Sequence, residues 1–441
     1  MKLTELREYI HHRQAKLAVI GLGYVGLPVA CRFAEVGFDL VGVEVNHARL
    51  TEIQAGNLPV SGYEPGLAEL LSGVISRKKL VATNEYGMLN DRDIILICVE
   101  TPVDEVHIPQ YQALRSALIA LGAVMKTGAL VIIESTLAPG TMQDLVLPLL
   151  EQSSGKKVNV GFFLGICPER VMPGKLLANL RSVSRVVGGM TPDTAQTMAL
   201  LYRSIVEAEL DLTDCLTAEL VKTVENAYRD VQIAFANEVA LICAALGGDV
   251  WNVRDLVNKS PGRQMLMPGA GVGGHCIPKD PWLLAYAVKD RDIDLKLIPA
   301  ARSVNTSMPP EIMKLIQRAL NSRGLDIAGA RILVMGYAYL EESDDTRNSP
   351  SEILVKRLVE SGANPIVHDP YVREYRGNPL EMAAGCDAVV FMVKHHAYPG
   401  VDLQSLRNGL RTPILVDGRG LFCPEVVRSA GIDYWGLGVG H

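Results

Sequence analysis

The fold is decided by one stretch near the start of the chain, Lys16-Leu17-Ala18-Val19-Ile20-Gly21-Leu22-Gly23-Tyr24-Val25-Gly26. Its first five residues are typical of a buried parallel strand, and residues 27–36 have the apolar spacing of a helix. The G-x-G-x-x-G pattern therefore stands between a strand and a helix, where glycines allow a pyrophosphate to approach the helix N-terminus. The turn predicts that a dinucleotide contacts Gly21, Gly23, Tyr24, Val25 and Gly26.

The next strand predicts which dinucleotide binds. Residues 39–44 indicate a second strand that ends in an acid, and Glu44 lies 23 residues after Gly21. This is near the spacing at which such folds place a carboxylate on the adenosine ribose, where it would repel the extra phosphate of NADP. The alternative is a glycine turn without a ligand, because the glycine pattern alone is weak support. Strand, turn, helix, strand and acid together favour NAD binding.

The alternation of strands and helices continues through the first domain. Strands are predicted at residues 93–99, 129–134 and 158–166, with a helix at 110–125. Ligands of doubly wound sheets bind beyond the carboxyl ends of the strands. The residues placed there are Thr101, Thr136 and Glu169. Each has an ordinary alternative as a helix cap or turn residue, and for the two threonines capping alone is the default interpretation.

The middle of the chain predicts one long helix, because residues 213–247 contain no proline and keep a helical apolar period. The apolar positions exceed one face, so this helix is expected to pack against another domain or subunit. Lys222 and Asn226 are one turn apart and share a face. Their ordinary alternative is a solvated lysine beside an unremarkable asparagine, unless that face meets the cysteine loop that follows.

A glycine-rich loop at residues 269–282 carries one cysteine. Four of its first six residues are glycine, Cys276 follows them, and Asp280 lies four residues further on. Glycine lets the backbone approach a bulky ligand and adopt positive φ without steric cost. A cysteine on such a loop can attack a substrate carbon, and Asp280 can order a water or a proton. The alternative is a surface turn with an incidental thiol, and the loop alone leaves the two interpretations about even.

The last third of the chain predicts a second doubly wound domain. Met308-Pro309-Pro310 is expected to break the chain before a helix at residues 311–323, and Ser349-Pro350 is expected to begin another helix. Further strands are predicted at residues 330–338, 365–369, 388–393 and 413–417.

The predicted fold class is therefore α/β. Two doubly wound Rossmann-like domains, at residues 1–200 and 308–441, are joined by a helical middle segment, residues 201–307, with a long central helix.

Composition excludes several classes of protein. The 441 residues carry a net charge of −6 without a basic run, which disfavours nucleic-acid binding. The eight cysteines are scattered without zinc spacing, so no metal site is expected. Residues 1–13 are unlike a signal peptide, and the most apolar stretch, residues 17–31, is too short for a membrane span. A cytoplasmic protein without a membrane partner is the expectation.

The sequence resembles the UDP-glucose/GDP-mannose dehydrogenase family over nearly the whole chain. The matching motifs are Gly21–Gly26, Tyr63-Glu64-Pro65-Gly66-Leu67, Glu134-Ser135-Thr136, Cys167-Pro168-Glu169-Arg170, Lys222 with Asn226, Gly273-Gly274-His275-Cys276 with Asp280, and Asp344-Asp345-Thr346-Arg347. The resemblance implies oxidation of the C6 hydroxymethyl group of a UDP-sugar to a carboxylate, with two NAD⁺ consumed. It also implies an NAD-binding first domain, a middle segment with the dimer contact and catalytic loop, and a UDP-sugar-binding last domain.

The resemblance further assigns catalytic roles. The second hydride must leave a carbon that already carries oxygen, and a covalent thiohemiacetal makes this possible. By the match, Cys276 is the nucleophile and Asp280 helps water and proton transfer. Lys222 steadies oxyanion charge, with Asn226 as its hydrogen-bonding companion. The catalytic set is completed by residues that match those around the water and the substrate, Thr136 and Glu169.

The substrate contacts that the resemblance implies are Glu169, Arg170, Lys222, Asn226, Arg263, Gly273, His275 and Arg347. Arg347 matches a nucleotide-binding arginine of the last domain. The family also implies a homodimer or dimer-based oligomer through the middle segment, in which Arg263 is a candidate to complete the neighbouring chain's active site. Two departures stand out. Leu340 occupies a position where the family usually has a substrate-binding lysine, and the segment after Thr101-Pro102 is shorter than usual.

The identity of the sugar depends on His275, which stands where glucose- and mannose-type members usually carry serine. Together with Cys167–Arg170 and Asp280–Trp282, it resembles members that act on 2-acetamido sugars. Its alternative is a loop-packing residue, and Lys279 weakens the case because glucose-type enzymes often share it. UDP-N-acetylmannosamine is therefore the expected substrate, with UDP-N-acetylglucosamine next and UDP-glucose poor.

Two other functional classes stay open at this point. One is a dinucleotide-binding sensor without turnover, and the other is a two-electron dehydrogenase of the 3-hydroxy acid type. The amount of NADH formed per substrate separates them: two for the four-electron enzyme, one for the simple dehydrogenase and none for the sensor.

Overall fold

The computed structural model describes residues 1–59, 62 and 64–440. Tyr63, the first residue of the Tyr63–Leu67 motif, lies outside the described residues. The chain divides into two compact units, Met1–Glu225 with Trp282–Ile293 and Asn226–Pro281 with Asp294–His441. In the described part of the chain, none of the helices combines the length and the hydropathy that crossing a lipid bilayer requires.

The first unit is built on an eight-stranded sheet with the strand order β3-β2-β1-β4-β5-β6-β7-β8. Its strands are β1 (Lys16–Ile20), β2 (Asp39–Val43), β3 (Leu80–Thr83), β4 (Ile94–Ile97), β5 (Ala129–Ile133), β6 (Phe162–Ile166), β7 (Arg185–Gly189) and β8 (Leu210–Asp214). Neighbouring strands are parallel except β6 and β7, which are antiparallel. The first six strands have the order of a dinucleotide-binding fold, which confirms the predicted class of this domain.

Helices cover both faces of this sheet. They are α1 (Leu3–His11), α2 (Gly26–Glu35), α3 (His47–Gln54), α4 (Leu67–Ser76), α5 (Gln112–Val124), α6 (Leu147–Ser154), α7 (Leu176–Ser182) and α8 (Pro192–Tyr202). Successive strand residues point to opposite faces, so Leu17 and Val19 lie in one apolar cluster while Ala18 and Ile20 lie in another. Burial on both faces explains why these strands have continuous apolar sequences.

The long helix predicted for the middle of the chain is present. Helix α9 (Cys215–Leu246) is 32 residues long, and Asp214 caps it by accepting hydrogen bonds from the backbone N–H and the hydroxyl of Thr217, at 2.9 and 2.7 Å. Lys222 belongs to the first unit and Asn226 to the second. The remaining helices are α10 (Val250–Val257), α11 (Asp280–Tyr286), α12 (Leu297–Asn321), α13 (Pro350–Glu360), α14 (Pro379–Met382), α15 (Leu403–Gly409) and α16 (Pro424–Ser429).

The second unit contains a five-stranded parallel sheet with the strand order β10-β9-β11-β12-β13. Its strands are β9 (Arg331–Met335), β10 (Asn364–His368), β11 (Ala388–Phe391), β12 (Ile414–Asp417) and β13 (Asp433–Gly436). This is the second common order of doubly wound folds, so the expectation of two such sheets is confirmed. As predicted, α13 begins with Pro350 after Ser349, whose hydroxyl caps the helix.

The expected chain break at Met308-Pro309-Pro310 is wrong. Helix α12 runs through both prolines without ending. A proline in a helix interior removes one backbone hydrogen bond and usually ends or kinks the helix. Here Met308 and Ile312 are fully buried in the apolar core of the second unit. The packing of α12 against this core therefore outweighs the local preference of the two prolines.

Candidate active site

In the glycine turn after β1, two glycines have no room for a side chain and one faces open space. Gly21 has φ of +90°, and a Cβ there would lie 2.8 Å from the carbonyl oxygen of Cys98. A Cβ on Gly26 would lie 1.9 Å from the carbonyl oxygen of Gly21. Around Gly23, by contrast, nothing approaches within 4 Å of that position. Gly21 and Gly26 are thus required by the packing of the chain itself, and Gly23 leaves the space that a pyrophosphate needs.

Glu44 follows β2 and faces this turn. Its buried carboxylate accepts hydrogen bonds from the backbone N–H of Leu22 at 3.2 Å and of Asn46 at 2.8 Å. The Arg49 guanidinium, which the sequence analysis did not single out, lies 3.2 Å from the same carboxylate. The acid is therefore fixed at the turn by backbone donors, as the ribose-binding role requires, and it has a cationic neighbour.

Tyr24 links the turn to a more distant segment. Its hydroxyl donates to the buried carboxylate of Glu64 at 2.5 Å. Glu64 also accepts from the backbone N–H of Gly174 at 2.7 Å and of Leu176 at 3.1 Å. The glycine turn, in which Val25 immediately precedes α2, is thus tied to the chain that follows Cys167–Arg170.

One side-chain hydrogen bond joins the segments of the two threonines at the strand ends. The buried Thr101 hydroxyl donates to the carbonyl oxygen of Thr136 at 2.7 Å, so that it joins the chain after β4 to the chain after β5. Thr136 itself is half-buried. The Thr101 hydroxyl thus bonds to a distant segment and not to a local helix end or turn, and its contact with a cofactor stays a prediction.

Glu169 lies in an ionic cluster that sequence reasoning missed. Its carboxylate pairs with the guanidinium of Arg185 and accepts from the backbone N–H of Arg170 at 2.7 Å. Arg185 is the first residue of β7, and it also lies 3.4 Å from the carboxylate of Glu134, just beyond β5. The acids at both strand ends were visible in the sequence, but the short strand that opens with a charged residue was not.

The guanidinium of Arg170, a predicted substrate contact, is engaged within the first unit. It forms an ion pair with Glu225 on α9 and donates to the carbonyl oxygen and the hydroxyl of Ser184, at 3.0 and 3.1 Å. Its role toward a substrate stays a prediction.

The cysteine loop of the second unit places an exposed thiol beside a buried acid. Cys276 is exposed, whereas Asp280 at the start of α11 is fully buried. The side-chain N–H of Asn226 donates to the Asp280 carboxylate at 2.6 Å, and the Lys279 ammonium lies 3.1 Å from its other oxygen. The backbone N–H of Asp280 donates to the carbonyl oxygen of Cys276 at 2.9 Å. The side chain of Asn226 therefore meets the cysteine loop, and its role toward a substrate stays a prediction.

The glycines of this loop are required by protein contacts. A Cβ on Gly273 would lie 2.5 Å from Cβ of Tyr339, and one on Gly274 would lie 2.7 Å from the Tyr339 ring. Gly271 has φ of +127°, and a Cβ there would lie 3.1 Å from the rings of Pro309 and Pro350. These glycines let the loop lie directly on its own unit. The predicted contact of Gly273 with a substrate stays a prediction.

Two further predicted substrate contacts, Arg347 and His275, lie at the same loop. The carbonyl oxygen of Arg347 accepts from the backbone N–H of Gly274 at 2.9 Å, and the Arg347 guanidinium pairs with Asp345 at 2.6 Å. Burial, together with the positive charges of Lys279 and Arg347, lowers the pKa of the half-buried His275, so its ring is neutral at neutral pH. Arg263 and Leu340 are both exposed. Lys222, on the part of α9 that belongs to the first unit, is half-buried.

Three family models match the chain in order. All belong to the UDP-glucose/GDP-mannose dehydrogenase family: its NAD binding domain at residues 15–206, its central domain at 216–307 and its UDP binding domain at 333–424. The chain belongs to this family. It is an NAD-dependent UDP-sugar dehydrogenase, and the expected cofactor and enzyme class are therefore confirmed.

Individual members of the family resemble the whole chain. The UDP-N-acetyl-D-mannosamine dehydrogenase of Pyrococcus horikoshii is 38% identical over 97% of this chain and 99% of its own. Its solved structure gives a TM-score of 0.90, at 37% identity over 96% of this chain and 99% of that one. A solved NDP-N-acetyl-D-galactosaminuronic acid dehydrogenase from Methanosarcina mazei gives a TM-score of 0.85, at 33% identity over 99% and 98% of the two chains.

Substitutions in the glycine turn should separate folding from cofactor binding. We expect Gly26→Ala to lose about 3 kcal/mol or more of stability, because the added methyl group has no room. Gly23→Ala should fold with stability within about 1 kcal/mol of wild type and bind NAD⁺ roughly tenfold more weakly or worse, because its methyl group occupies the open space. Thermal unfolding and NAD⁺ titration measure both effects. Wild-type stability in Gly26→Ala would contradict the packing argument.

Glu44 should determine the choice between NAD⁺ and NADP⁺. In Glu44→Ala, the repulsion of a 2′-phosphate is lost and Arg49 is released to meet it, so the kcat/KM ratio of NADP⁺ to NAD⁺ should rise by roughly tenfold or more. Glu52→Ala on α3 is the control, since Glu52 is exposed and its carboxylate accepts a hydrogen bond from Asn57, outside the turn. An unchanged ratio in Glu44→Ala would rule out this role of the acid.

Proposed function

We propose that the chain is a UDP-N-acetyl-D-mannosamine 6-dehydrogenase that oxidises the C6 hydroxymethyl group to a carboxylate through a covalent intermediate on Cys276. The observation that carries the chemistry is the exposed Cys276 thiol on a loop whose next helix opens with a buried acid bonded to Asn226. The choice of sugar is supported by full-length relatives named for that substrate.

The atoms balance in four steps. Loss of a hydride and a proton converts the hydroxymethyl group to an aldehyde, and the Cys276 sulfur adds to the aldehyde carbon to give a thiohemiacetal. Loss of a second hydride and proton leaves a thioester on Cys276. Water then replaces the sulfur and releases the carboxylate with the regenerated thiol. When bound, NAD⁺ accepts a hydride in each oxidation, so two are consumed per sugar.

The proposed catalytic roles follow from charge and bonding. The Asp280 carboxylate, held by Asn226 and Lys279, takes and returns protons at the C6 oxygen and at the attacking water. Lys222 balances the negative charge that develops on the C6 oxygen when sulfur or water adds to the carbon. Thr136 and Glu169 act around the water and the sugar.

The proposed substrate contacts divide between the nucleotide and the sugar. Arg347, which lies within the part of the chain that matches the UDP binding domain (residues 333–424), meets the diphosphate. Gly273 and His275 contact the sugar, and a neutral His275 ring offers one donor and one acceptor to an acetamido group. Arg170 and Asn226 complete the set within one chain, and Arg263 acts on the neighbouring chain's site. Residues 1–200, 201–307 and 308–441 form the NAD, central and UDP-sugar domains of a cytoplasmic enzyme.

The sugar is tested by steady-state kcat/KM for a panel of nucleotide sugars with NAD⁺. We expect UDP-N-acetylmannosamine first, UDP-N-acetylglucosamine next and UDP-glucose poor, because a site that bonds the acetamido group leaves buried polar atoms unpaired with glucose. The galacto epimer belongs in the panel, since one similar structure is named for an N-acetylgalactosaminuronic acid. If UDP-glucose is best, the acetamido assignment fails, although the four-electron chemistry can stand.

Cys276→Ser should abolish complete turnover, because a serine hydroxyl is a far poorer nucleophile near neutral pH than a partly ionised thiol. We expect uronic acid formation to fall by about 10³-fold or more. The exposed Cys423, changed to serine, is the matched control and should keep wild-type activity. Wild-type rates of acid formation in Cys276→Ser would exclude the covalent mechanism.

We also propose a homodimer through α9. Tyr228, Phe235 and Ile242 are spaced by seven residues along one side of this helix and are 63%, 60% and 51% exposed. Large apolar side chains exposed in a row are typical of a contact surface.

Light scattering should therefore give twice the chain mass of 47.8 kDa for the wild type. Phe235→Glu should give the monomer mass with reduced activity, because a buried charge would have no partner. Val359→Glu changes an equally exposed apolar residue on α13 and should remain dimeric. A wild-type monomer that keeps full activity at high dilution would contradict this proposal.

A further inference from the structure

One guanidinium in the first unit serves two carboxylates. The Arg185 side chain is 1% exposed, and those of Glu134 and Glu169 are 0% and 7% exposed. Arg185 pairs closely with Glu169 and lies 3.4 Å from Glu134. The Tyr202 hydroxyl donates to Glu134 at 2.6 Å, and the Tyr202 ring lies 4.9 Å from the guanidinium carbon.

The charges of this cluster do not cancel when both acids are ionised. One positive and two negative charges leave a net negative charge away from water, which is costly. Glu169 has the close contact with Arg185 and a backbone N–H donor at 2.7 Å, so Glu134 is the acid that keeps the proton. Burial and the charge of Glu169, opposed by Arg185, raise the pKa of Glu134 to about 7.

The other groups that face Glu134 stay neutral at this pH. The Cys98 thiol donates to Glu134 at 3.8 Å, and burial raises its pKa well above the usual value. Cys167, whose sulfur lies 3.9 Å from Arg185, has a pKa raised to about 12 by burial. Burial likewise raises the pKa of the Tyr202 hydroxyl. The protonation of Glu134 therefore decides whether Arg185 faces one carboxylate or two.

We propose that Arg185 is a positioning residue that holds the Glu169 carboxylate in place for the reaction, and that Glu134 controls how fully Arg185 is committed to Glu169. While Glu134 is protonated, the guanidinium is committed to Glu169. When Glu134 ionises, it draws on the same guanidinium and adds a negative charge beside Glu169. The inference rests on the proposed role of Glu169 in the oxidation.

The first test compares Glu134→Gln with the wild-type enzyme across pH. Glutamine has the shape of the protonated acid and does not ionise. We expect the ratio of variant to wild-type kcat to be near one at pH 6 and to rise by about threefold or more between pH 7 and 8.5. Only in the wild type does an ionised Glu134 compete with Glu169 for the Arg185 guanidinium at that pH. The KM for NAD⁺ should not change. A ratio that is independent of pH would overturn the inference.

A matched variant checks that Glu134 causes the transition. In Tyr202→Phe, Glu134 loses a hydrogen bond that lowers its pKa, while Glu169 keeps its partners. The ratio of the kcat of Glu134→Gln to that of Tyr202→Phe should therefore rise at a higher pH than the ratio of Glu134→Gln to wild type. A transition that stays at the wild-type pH would assign the titration to another group.

Thermal unfolding provides a readout that is independent of activity. A carboxyl with a raised pKa in the folded state stabilises the fold below its unfolded pKa, and this contribution is lost as the pH rises through about 7. The difference in melting temperature, Glu134→Gln minus wild type, should therefore be larger at pH 8 than at pH 5. The same difference at both values would contradict the titration of Glu134.

The second test is a rescue. Arg185→Lys supplies one charge without the fork that reaches two acids, and its kcat should fall by about 10²-fold. Adding Glu134→Gln removes the competing acid, and the double variant should recover about tenfold. A merely structural arginine predicts no recovery, and that result would overturn the inference. If Arg185→Lys does not fold, the pH dependence of the kcat ratio for Glu134→Gln decides alone.

The outcomes separate this inference from the proposed function. Wild-type enzyme that oxidises UDP-sugars with two NADH, together with a pH-independent kcat ratio and no rescue, removes only the role of Arg185. Wild-type enzyme that oxidises none of the sugars removes the proposed function itself.

Discussion

The close contact between the glycines of the cysteine loop and Tyr339 is the constraint on which the position of Cys276, and therefore the proposed chemistry, depends. Gly273 and Gly274 have no room for side chains, because Cβ atoms there would lie 2.5 and 2.7 Å from Tyr339. The loop backbone is also bonded to the segment after Tyr339, from the Gly274 N–H to the Arg347 carbonyl oxygen. A loop with four glycines would ordinarily be mobile, and here contact with its own unit fixes it. Cys276 is thereby exposed at a defined place.

The fixed loop also explains the arrangement around Asp280. The carbonyl oxygen of Cys276 accepts from the N–H of Asp280, so the thiol and the acid are held one turn apart. Asp280 is fully buried, and its carboxylate lies beside the Lys279 ammonium and accepts a hydrogen bond from the side-chain amide of Asn226. A buried carboxylate without such partners would be costly. The proposed nucleophile is thus exposed, while the acid proposed to transfer protons is buried and held by hydrogen bonds.

Close packing around glycines also shapes the turn that is predicted to bind the cofactor. Gly26 allows α2 to begin against the carbonyl of Gly21, and Gly23 leaves open space. These roles were predictable from sequence, because the glycine spacing, the flanking strand and the acid at Glu44 are all local features. The predicted bounds of β1 coincide with those of the structure, and the 32-residue α9 follows from its unbroken period.

What the sequence did not provide are contacts between distant residues. Arg185 meets Glu134 across 51 positions, and β7 is too short and too charged at its start to be recognised by period. The continuation of α12 through Pro309 and Pro310 depends on the burial of Met308 and Ile312. This burial cannot be predicted from the helix propensities of the residues themselves. The contact of Tyr339 with the loop glycines could not be predicted for the same reason, because it joins residues far apart in the sequence.

The central claim is that one chain performs both oxidations through Cys276, and the stoichiometry of NADH tests it most directly. Limiting UDP-N-acetylmannosamine is incubated with excess NAD⁺ until absorbance is constant, and the sugar product is identified by mass. The account predicts two NADH for each uronic acid, with no aldehyde left in solution. One NADH per sugar, with an aldehyde or ketone as the final product, would contradict it.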